Sequence, residues 1–448
     1  MKRLFTRYIG DLFLRQRLFA AVSAVVVFFV VSFFLPALGI LPALAAWVML
    51  GLVVIDYLLL FLPARGLHAQ RRAPERLSNG DHNPVDIDLK SGYAFPVAME
   101  IIDEIPFQFQ ERDLLFRTSL AARAEKTIRY QLRPVKRGEY DFGRINIYAF
   151  SPIGLVQRRY RFEQPSVIPV YPSFLQMRRF QLLAISNRLS EIGVKKVRRV
   201  GHSMEFEQIK DYVQGDDIRT LNWKATARKQ QLMVNSFTEE KSQQIYCLID
   251  KSRAMKMPFQ GLSLMDYAIN ASLVLTNVAL LKQDKAGVVT FAEDISAFLP
   301  AARQATQMQR ILELLYRQKT RYLEADYEKL YAVVRRRITQ RSLLVLFTNF
   351  ESLSALERQL GYLRKLAQHH LLMVVFFENT ELRDRVQQPA ESLEDVYVQT
   401  IAAKFAFEKK QIVHALHQYG ILSLFTAPEN LTVNTVNRYL EMKSRQLI

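Results

Sequence analysis

Two adjacent carboxylates, Asp216 and Asp217, follow Gly215 in the segment GHSMEFEQIKDYVQGDDIRTLNWKATAR, residues 201–228. Paired carboxylates can ligate a divalent metal for phosphoryl or peptide hydrolysis. The same stretch supplies Arg219, Trp223, Lys224 and Arg228, which can neutralise both acids. Side chains at i and i+1 point apart unless a turn brings them together, so the spacing favours an internal ion-pair lattice over a hydrolytic centre. In that lattice Trp223 is the apolar anchor, with Arg219 or Arg228 stacked on it. Replacing Asp217 or Trp223 with Ala is then expected to loosen the junction between neighbouring modules.

Further along, the apolar run IYCLID ends at Asp250 and opens into Asp250-Lys251-Ser252-Arg253-Ala254. Other chemistry finds little support. Cys247 is the only cysteine and lies inside that run, where it reads as a small core residue. His414 and His417 stand three apart just before Gly420, where His meets a helix dipole rather than a metal. There is no His-Glu-x-x-His and no glycine-rich phosphate loop, so neither a zinc hydrolase nor a nucleotide site is indicated. Lys195–Arg199 and Arg335–Arg337 are basic knots in a chain of formal charge +18. They lack interleaved aromatics and a reading helix, so nucleic acid is not an expected partner.

The elements that position these residues begin with two apolar stretches, Leu18–Leu35 and Ala43–Leu62, in which Asp56 is the single charge. As helices they span about 27 and 30 Å, enough to cross a bilayer. Five basic residues against Asp11 precede the first and leave +4; Arg65, Arg71, Arg72 and Arg76 against Glu75 follow the second and leave +3. Positive charge on both flanks predicts that both termini, and all that follows the hairpin, lie in the cytoplasm, with the basic flanks facing lipid headgroups. Asp56 reads as a hydrated helix end without a partner.

Period-two alternation at Val85, Ile87 and Leu89, at Ile128, Tyr130 and Leu132, and at Ile145 and Ile147 predicts a β-sandwich-like module. From residue 243 continuous apolar strands (Ile245–Ile249, Gly287–Phe291, Leu343–Phe347, Leu371–Phe377, Ile421–Phe425) alternate with amphipathic helices. That pattern predicts a doubly wound parallel sheet, with ligands beyond the strands' carboxyl ends, where Asp250 stands. The expected fold class is therefore α/β, as a membrane anchor (1–64), a β-sandwich-like module (80–172), a connecting segment carrying the charged motif (173–242) and an α/β domain (243–448).

These residues resemble the bacterial family catalogued as domain of unknown function 58, often encoded beside MoxR-type AAA+ ATPases. The resemblance rests on Gly201-x-Ser203-x-Glu205-Phe206, Tyr212-x-x-Gly215-Asp216-Asp217-x-Arg219 and Asn222-Trp223-Lys224-x-x-x-Arg228. It continues through Phe237-x-x-Glu240, Asp250-x-Ser252 and Arg341-Ser342 leading to Asn349. It implies that the α/β domain is von Willebrand A-like and that the membrane is a bacterial inner one. It also implies a non-catalytic adaptor that works with a MoxR-type ATPase, and with other von Willebrand A-type membrane proteins, in chaperone-like assembly or maturation. Such domains hold a divalent metal with Asp-x-Ser-x-Ser, a Thr and a later Asp. Here Ala254 replaces the second Ser and Asn349 the later Asp. Asp250, Ser252 and Thr320 remain as ligands for a weakly held Mg²⁺; the other expectation is a loop held by Ser252, with Lys251 or Arg253 pairing with Asp250. The resemblance makes Asp250, Ser252, Thr348 and Asn349 the partner face. A metal-dependent hydrolase using Asp216, Asp217 and Asp250 is the alternative.

Overall fold

A computed structural model describes residues 6–63, 66–110, 114–185, 203–214, 216, 218–239, 242–387 and 392–447. The chain divides into two units, Met1–Tyr171 and Pro172–Ile448.

In the first unit two apolar helices, α1 (Gln16–Phe34) and α2 (Leu41–Phe61), are long enough to cross a membrane and expose most of their length. The strands start earlier than the alternation predicts. β1 (Leu12–Leu14) precedes α1 and pairs with β10 (Val156–Phe162). β2 (Leu67–Arg72) pairs with β4 (Asn83–Ser91). The sequence LHAQRR hides β2 because Arg71 faces inward, paired with the buried Asp103, which also accepts from the Tyr130 hydroxyl. One five-stranded sheet joins β1 and β10 to β9 (Ile145–Phe150), β5 (Val97–Asp103) and β6 (Leu115–Leu120). Another joins β2 and β4 to β7 (Glu125–Leu132); the third joins β3 (Leu77–Ser78), β11 (Ser166–Tyr171) and β8 (Gly138–Phe142). Val85, Ile87, Leu89, Met99, Ile101 and Ile147 alternate into one shared core.

Asp56 departs from the expectation of a hydrated helix end. It is completely buried and accepts hydrogen bonds from the Ser151 hydroxyl and from the amides of Leu155 (2.7 Å) and Val156 (2.9 Å). Its neighbours Val53, Tyr57, Leu60 and Phe61 join the strand core. A helix end leaves carbonyls without intrahelical partners. That of Leu60 accepts from Arg158 Nη1 (2.7 Å) and the Tyr93 hydroxyl (2.9 Å). The last turns of α2 therefore have two faces: Asp56, Tyr57 and Leu60 belong to the strands, while Ile55, Leu58, Leu59 and Leu62 stay exposed.

The second unit opens with α3 (Phe174–Ile185). A two-stranded arm follows, β12 (Ser203–Asp211) paired antiparallel with β13 (Met233–Glu239), with the short α4 (Trp223–Lys229) between them. The main sheet has β14 (Gln244–Asp250), β17 (Lys285–Phe291), β19 (Leu343–Phe347), β20 (Leu371–Phe377) and β21 (Leu422–Thr426) in parallel. An antiparallel strand, β18 (Ile295–Ala302), closes the β17 edge. Between β14 and β17 run the small hairpin β15 (Pro258–Phe259) and β16 (Leu262–Ser263) and then α5 (Leu264–Leu281). The helices after β18 are α6 (Gln307–Tyr316), α7 (Tyr327–Arg337), α8 (Leu353–His369), α9 (Thr380–Gln387), α10 (Leu393–Gln418) and α11 (Leu431–Ser444).

Alternation within β14 explains why helices cover both faces. Ile245, Cys247 and Ile249 pack with α5 and α11, whereas Tyr246 and Leu248 pack with α7, α8 and α10. Burial pushes the Cys247 thiol up to about 12, so it is inert core. α5 is also long and apolar enough for a membrane span, yet 83% of its apolar window is buried. Its all-round apolar surface is that of a helix inside a core.

Candidate functional site

The parallel strands bring Asp250, at the end of β14, beside Thr348, just past β19. Asp250 Oδ1 accepts from the Ser252 amide (2.7 Å), and Oδ2 accepts from Thr348 Oγ1 (2.7 Å). Since Thr348 spends its single proton on Asp250, the Tyr327 hydroxyl 2.8 Å away donates to Thr348. Asp250 is 2% exposed and Thr348 fully buried. Burial pushes the Asp250 carboxyl above its ordinary range, against the pull of its hydrogen bonds from Ser252 and Thr348. The expected ion pairs go elsewhere: Lys251 Nζ donates to Gln318 (3.1 Å), and Arg253 pairs with Glu324 (3.7 Å).

Asn349 faces a cation. Its Oδ1 accepts from Lys409 Nζ (3.0 Å), which also donates to the Phe350 carbonyl. Burial lowers Lys409 to about 8, although Glu351 and Glu408 raise it. Lys409 lies in the wall of a cavity of about 430 Å³, among Met257, Phe259, Leu264, Phe377 and Phe405. A smaller cleft of about 90 Å³ runs above Asp250 and Thr348, rimmed by Arg253, Glu324, Glu351 and Arg358.

Mg²⁺ needs near-octahedral oxygen ligation. Both Asp250 oxygens are engaged, Ala254 has no hydroxyl, and the Asn349 oxygen accepts from an ammonium group. Among the described residues Thr320 makes no hydrogen bond to this cluster; its neighbour Arg321 donates a backbone bond to Lys251 (2.8 Å). The donor set does not fit a divalent ion.

The charged motif on the arm does not form the expected lattice among the described residues. Asp216 accepts from Lys210 Nζ (2.9 Å) and the Val213 amide (3.1 Å), which hold it below the usual carboxylate range. Gly215, Asp217 and the side chain of Arg219 lie outside the described residues. Asn222 caps α4 by accepting from the Ala225 amide (3.0 Å), and Thr226 Oγ1 accepts from the Met233 amide (3.0 Å). Those bonds turn one side of a seven-residue helix towards β13 and the other outward. Trp223 is consequently 71% exposed, with Lys224 and Arg228 exposed beside it. No ring stacking or cation contact involves Trp223 among the described residues.

Residues 208–403 match the family described as "Protein of unknown function DUF58". Over this segment the chain is similar to that family. It is 28% identical over 206 residues to "Uncharacterized protein YeaD" of Bacillus subtilis (strain 168), covering 43% of this chain and half the length of that relative. Among solved structures it is similar to BatB from Bacteroides thetaiotaomicron (12% identity, 46% of this chain and 100% of that one, TM-score 0.28). A second is the SpRpn10 VWA domain (12% identity, 44% of this chain and 94% of that one, TM-score 0.27). Scores this low carry no argument about function.

The DUF58 segment thus begins on the arm and takes in β14, β19 and the strand-end cluster. Within its charged motif, Trp223, Lys224 and Arg228 are exposed rather than packed as an anchor. Trp223→Ala should therefore leave the melting temperature of the full chain unchanged, within the ~0.5 kcal/mol usual for surface substitutions; a clear loss of stability would restore Trp223 as an anchor.

Asp250 behaves oppositely. Its folded carboxyl holds a proton to higher pH than the unfolded chain does. The stability this contributes is complete below the unfolded carboxylate range and is lost as pH rises through the raised folded value. Asp250→Asn removes that loss, so the variant should be more stable than wild type at pH 8 and about equal to it at pH 4. Melting curves at the two pH values test it, and equal curves at pH 8 would contradict the buried charge.

Lys409 was not singled out from sequence, although a signal existed. Helical spacing places it on the face of the buried Ile412 and Leu416, where a lone lysine is costly.

Proposed function

We propose that this protein is a membrane-anchored, non-catalytic interaction adaptor that works with a MoxR-type AAA+ ATPase in chaperone-like assembly or maturation of other proteins. One observation supports this most directly. At the carboxyl ends of the parallel strands, where α/β proteins bind their ligands, the reactive-looking groups are buried and satisfied, while an exposed charged rim surrounds a cleft. Asp250, Ser252 and Thr348 hold the loop in shape; Arg253, Glu324, Glu351 and Arg358 are what a partner meets. The apolar α1 and α2 support the anchor, and the basic flanks favour a cytoplasmic location for the strands. The ATPase supplies hydrolysis. The alternative hydrolase needs Asp216, Asp217 and Asp250 together; Asp216 and Asp250 are each satisfied by their own local donors, and Asp217 lies outside the described residues.

The test is affinity capture of the tagged, detergent-extracted protein with a slowly hydrolysed ATP analogue, using Arg253→Glu/Arg358→Glu as the comparison. An AAA+ ATPase held by wild type and lost from the variant, at equal melting temperature, is the expected result. Equal capture by both would move the contact off the strand ends. Absence of an ATPase together with chelator-sensitive hydrolysis would replace the adaptor with the hydrolase.

A further inference from the structure

Where α1 starts, two guanidinium groups converge with no countercharge of their own. Arg15, the residue before α1, lies over the Phe150 ring at 3.7 Å, which fixes its plane. A Cβ built on Gly154 would stand 3.2 Å from Arg15 Nη1 and 3.4 Å from Arg17 Nη1. Both groups therefore flank one bare stretch of backbone, at a glycine whose φ of +69° other residues rarely adopt. Arg117 adds a third cation, and the carboxylate nearby, Glu100, pairs with it at 3.2 Å. Neither Arg15 nor Arg17 forms an ion pair among the described residues. Burial first, then the fields of Arg17 and Arg117, hold Arg15 below its ordinary range, opposed by Glu100 and Asp56. The first turn of α1 also has no side-chain cap.

Converging like charges are stable when an anion lies between them, and planar guanidinium forks match phosphate oxygens in particular. The apolar, exposed α1 begins at the next residue, so a phosphate here sits at the depth of lipid headgroups. We propose that Arg15 and Arg17, closing over Gly154, form a binding site for the phosphate of an anionic lipid at the base of the helical hairpin. The site rests on the membrane anchorage proposed above. A free phosphate ion shares the same chemistry, and the measurement separates the two sources.

The full chain is released from detergent for native mass spectrometry after equilibration with phosphatidylglycerol, phosphatidylcholine or inorganic phosphate. The variants are Arg15→Gln/Arg17→Gln, Gly154→Ala, and Lys224→Gln/Arg228→Gln as a control that removes equal charge elsewhere. Wild type and control should retain phosphatidylglycerol over phosphatidylcholine. The arginine variant should lose that retention by roughly ten-fold or more, the scale of one charge-assisted hydrogen bond. Gly154→Ala, which puts a methyl between the guanidinium groups, should weaken it while both arginines remain. Equal retention by the arginine variant at wild-type melting temperature overturns the site. Inorganic phosphate displacing the lipid at millimolar concentration makes it an ion site instead. Loss of the wild-type chain from the membrane fraction would fail the anchorage itself, a result distinct from either.

Discussion

Asp56→Ala should destabilise the first unit by about 2–6 kcal/mol, because two buried amides, Leu155 and Val156, lose their acceptor at ~1–3 kcal/mol each. The Ser151 hydroxyl loses its partner as well but can rotate. Asp56→Asn keeps one acceptor oxygen and should cost about half as much. Thermal melting of the full chain in detergent, with limited proteolysis of the 151–156 loop, measures both. The alanine variant should melt earlier and be cut in that loop. A variant that melts with wild type would mean that Asp56 is wet and the loop is held by something else.

The second large effect is expected at Asp284, a buried carboxylate outside both candidate sites. It accepts from Lys443 Nζ (2.5 Å), the Gln243 amide (3.0 Å) and the Tyr439 hydroxyl. These bonds fasten α11 to the start of the sheet. Asp284→Ala strands the buried Lys443 ammonium and should cost roughly 3–5 kcal/mol, the usual result of breaking a buried ion pair from one side. Removing both partners in Asp284→Asn/Lys443→Met should recover much of that loss, since no unpaired charge remains. Denaturant titration of wild type, Asp284→Asn, Lys443→Met and the double variant closes the cycle, and hydrogen exchange over residues 431–444 localises it. If the double variant is as unstable as Asp284→Ala, the hydrogen bonds to Tyr439 and Gln243 matter and the ion pair does not.

The central strands were legible because they are buried on both faces. Ile245–Ile249 and Leu343–Phe347 are continuous apolar runs whose only physical home is the middle of a parallel sheet. The edge strand β18 was not, for the opposite reason: ISAFLPAA is half exposed and contains Pro300, which an edge tolerates. β1 is three residues long and carries no periodicity. At the candidate site, position and chemistry separated. Asp250 was correctly placed at a strand end, but its burial depends on Thr348 and Tyr327, which approach from 98 and 77 residues away. The arm misled because an aromatic residue among charges looks like an anchor. Whether Trp223 faces in or out is decided by which side of a seven-residue helix meets β13, and Asn222 and Thr226 decide that.

The grip of the strands on the end of α2 leaves no hinge between that helix and the strand core. Asp56, Tyr57, Leu60 and Phe61 are held there, whereas Ile55, Leu58 and Leu59 on the other face stay exposed. Tilting α2 would break the bonds at Asp56 and at the Leu60 carbonyl together, so the helix and the strands turn as one body, and a displacement of either is passed to the other.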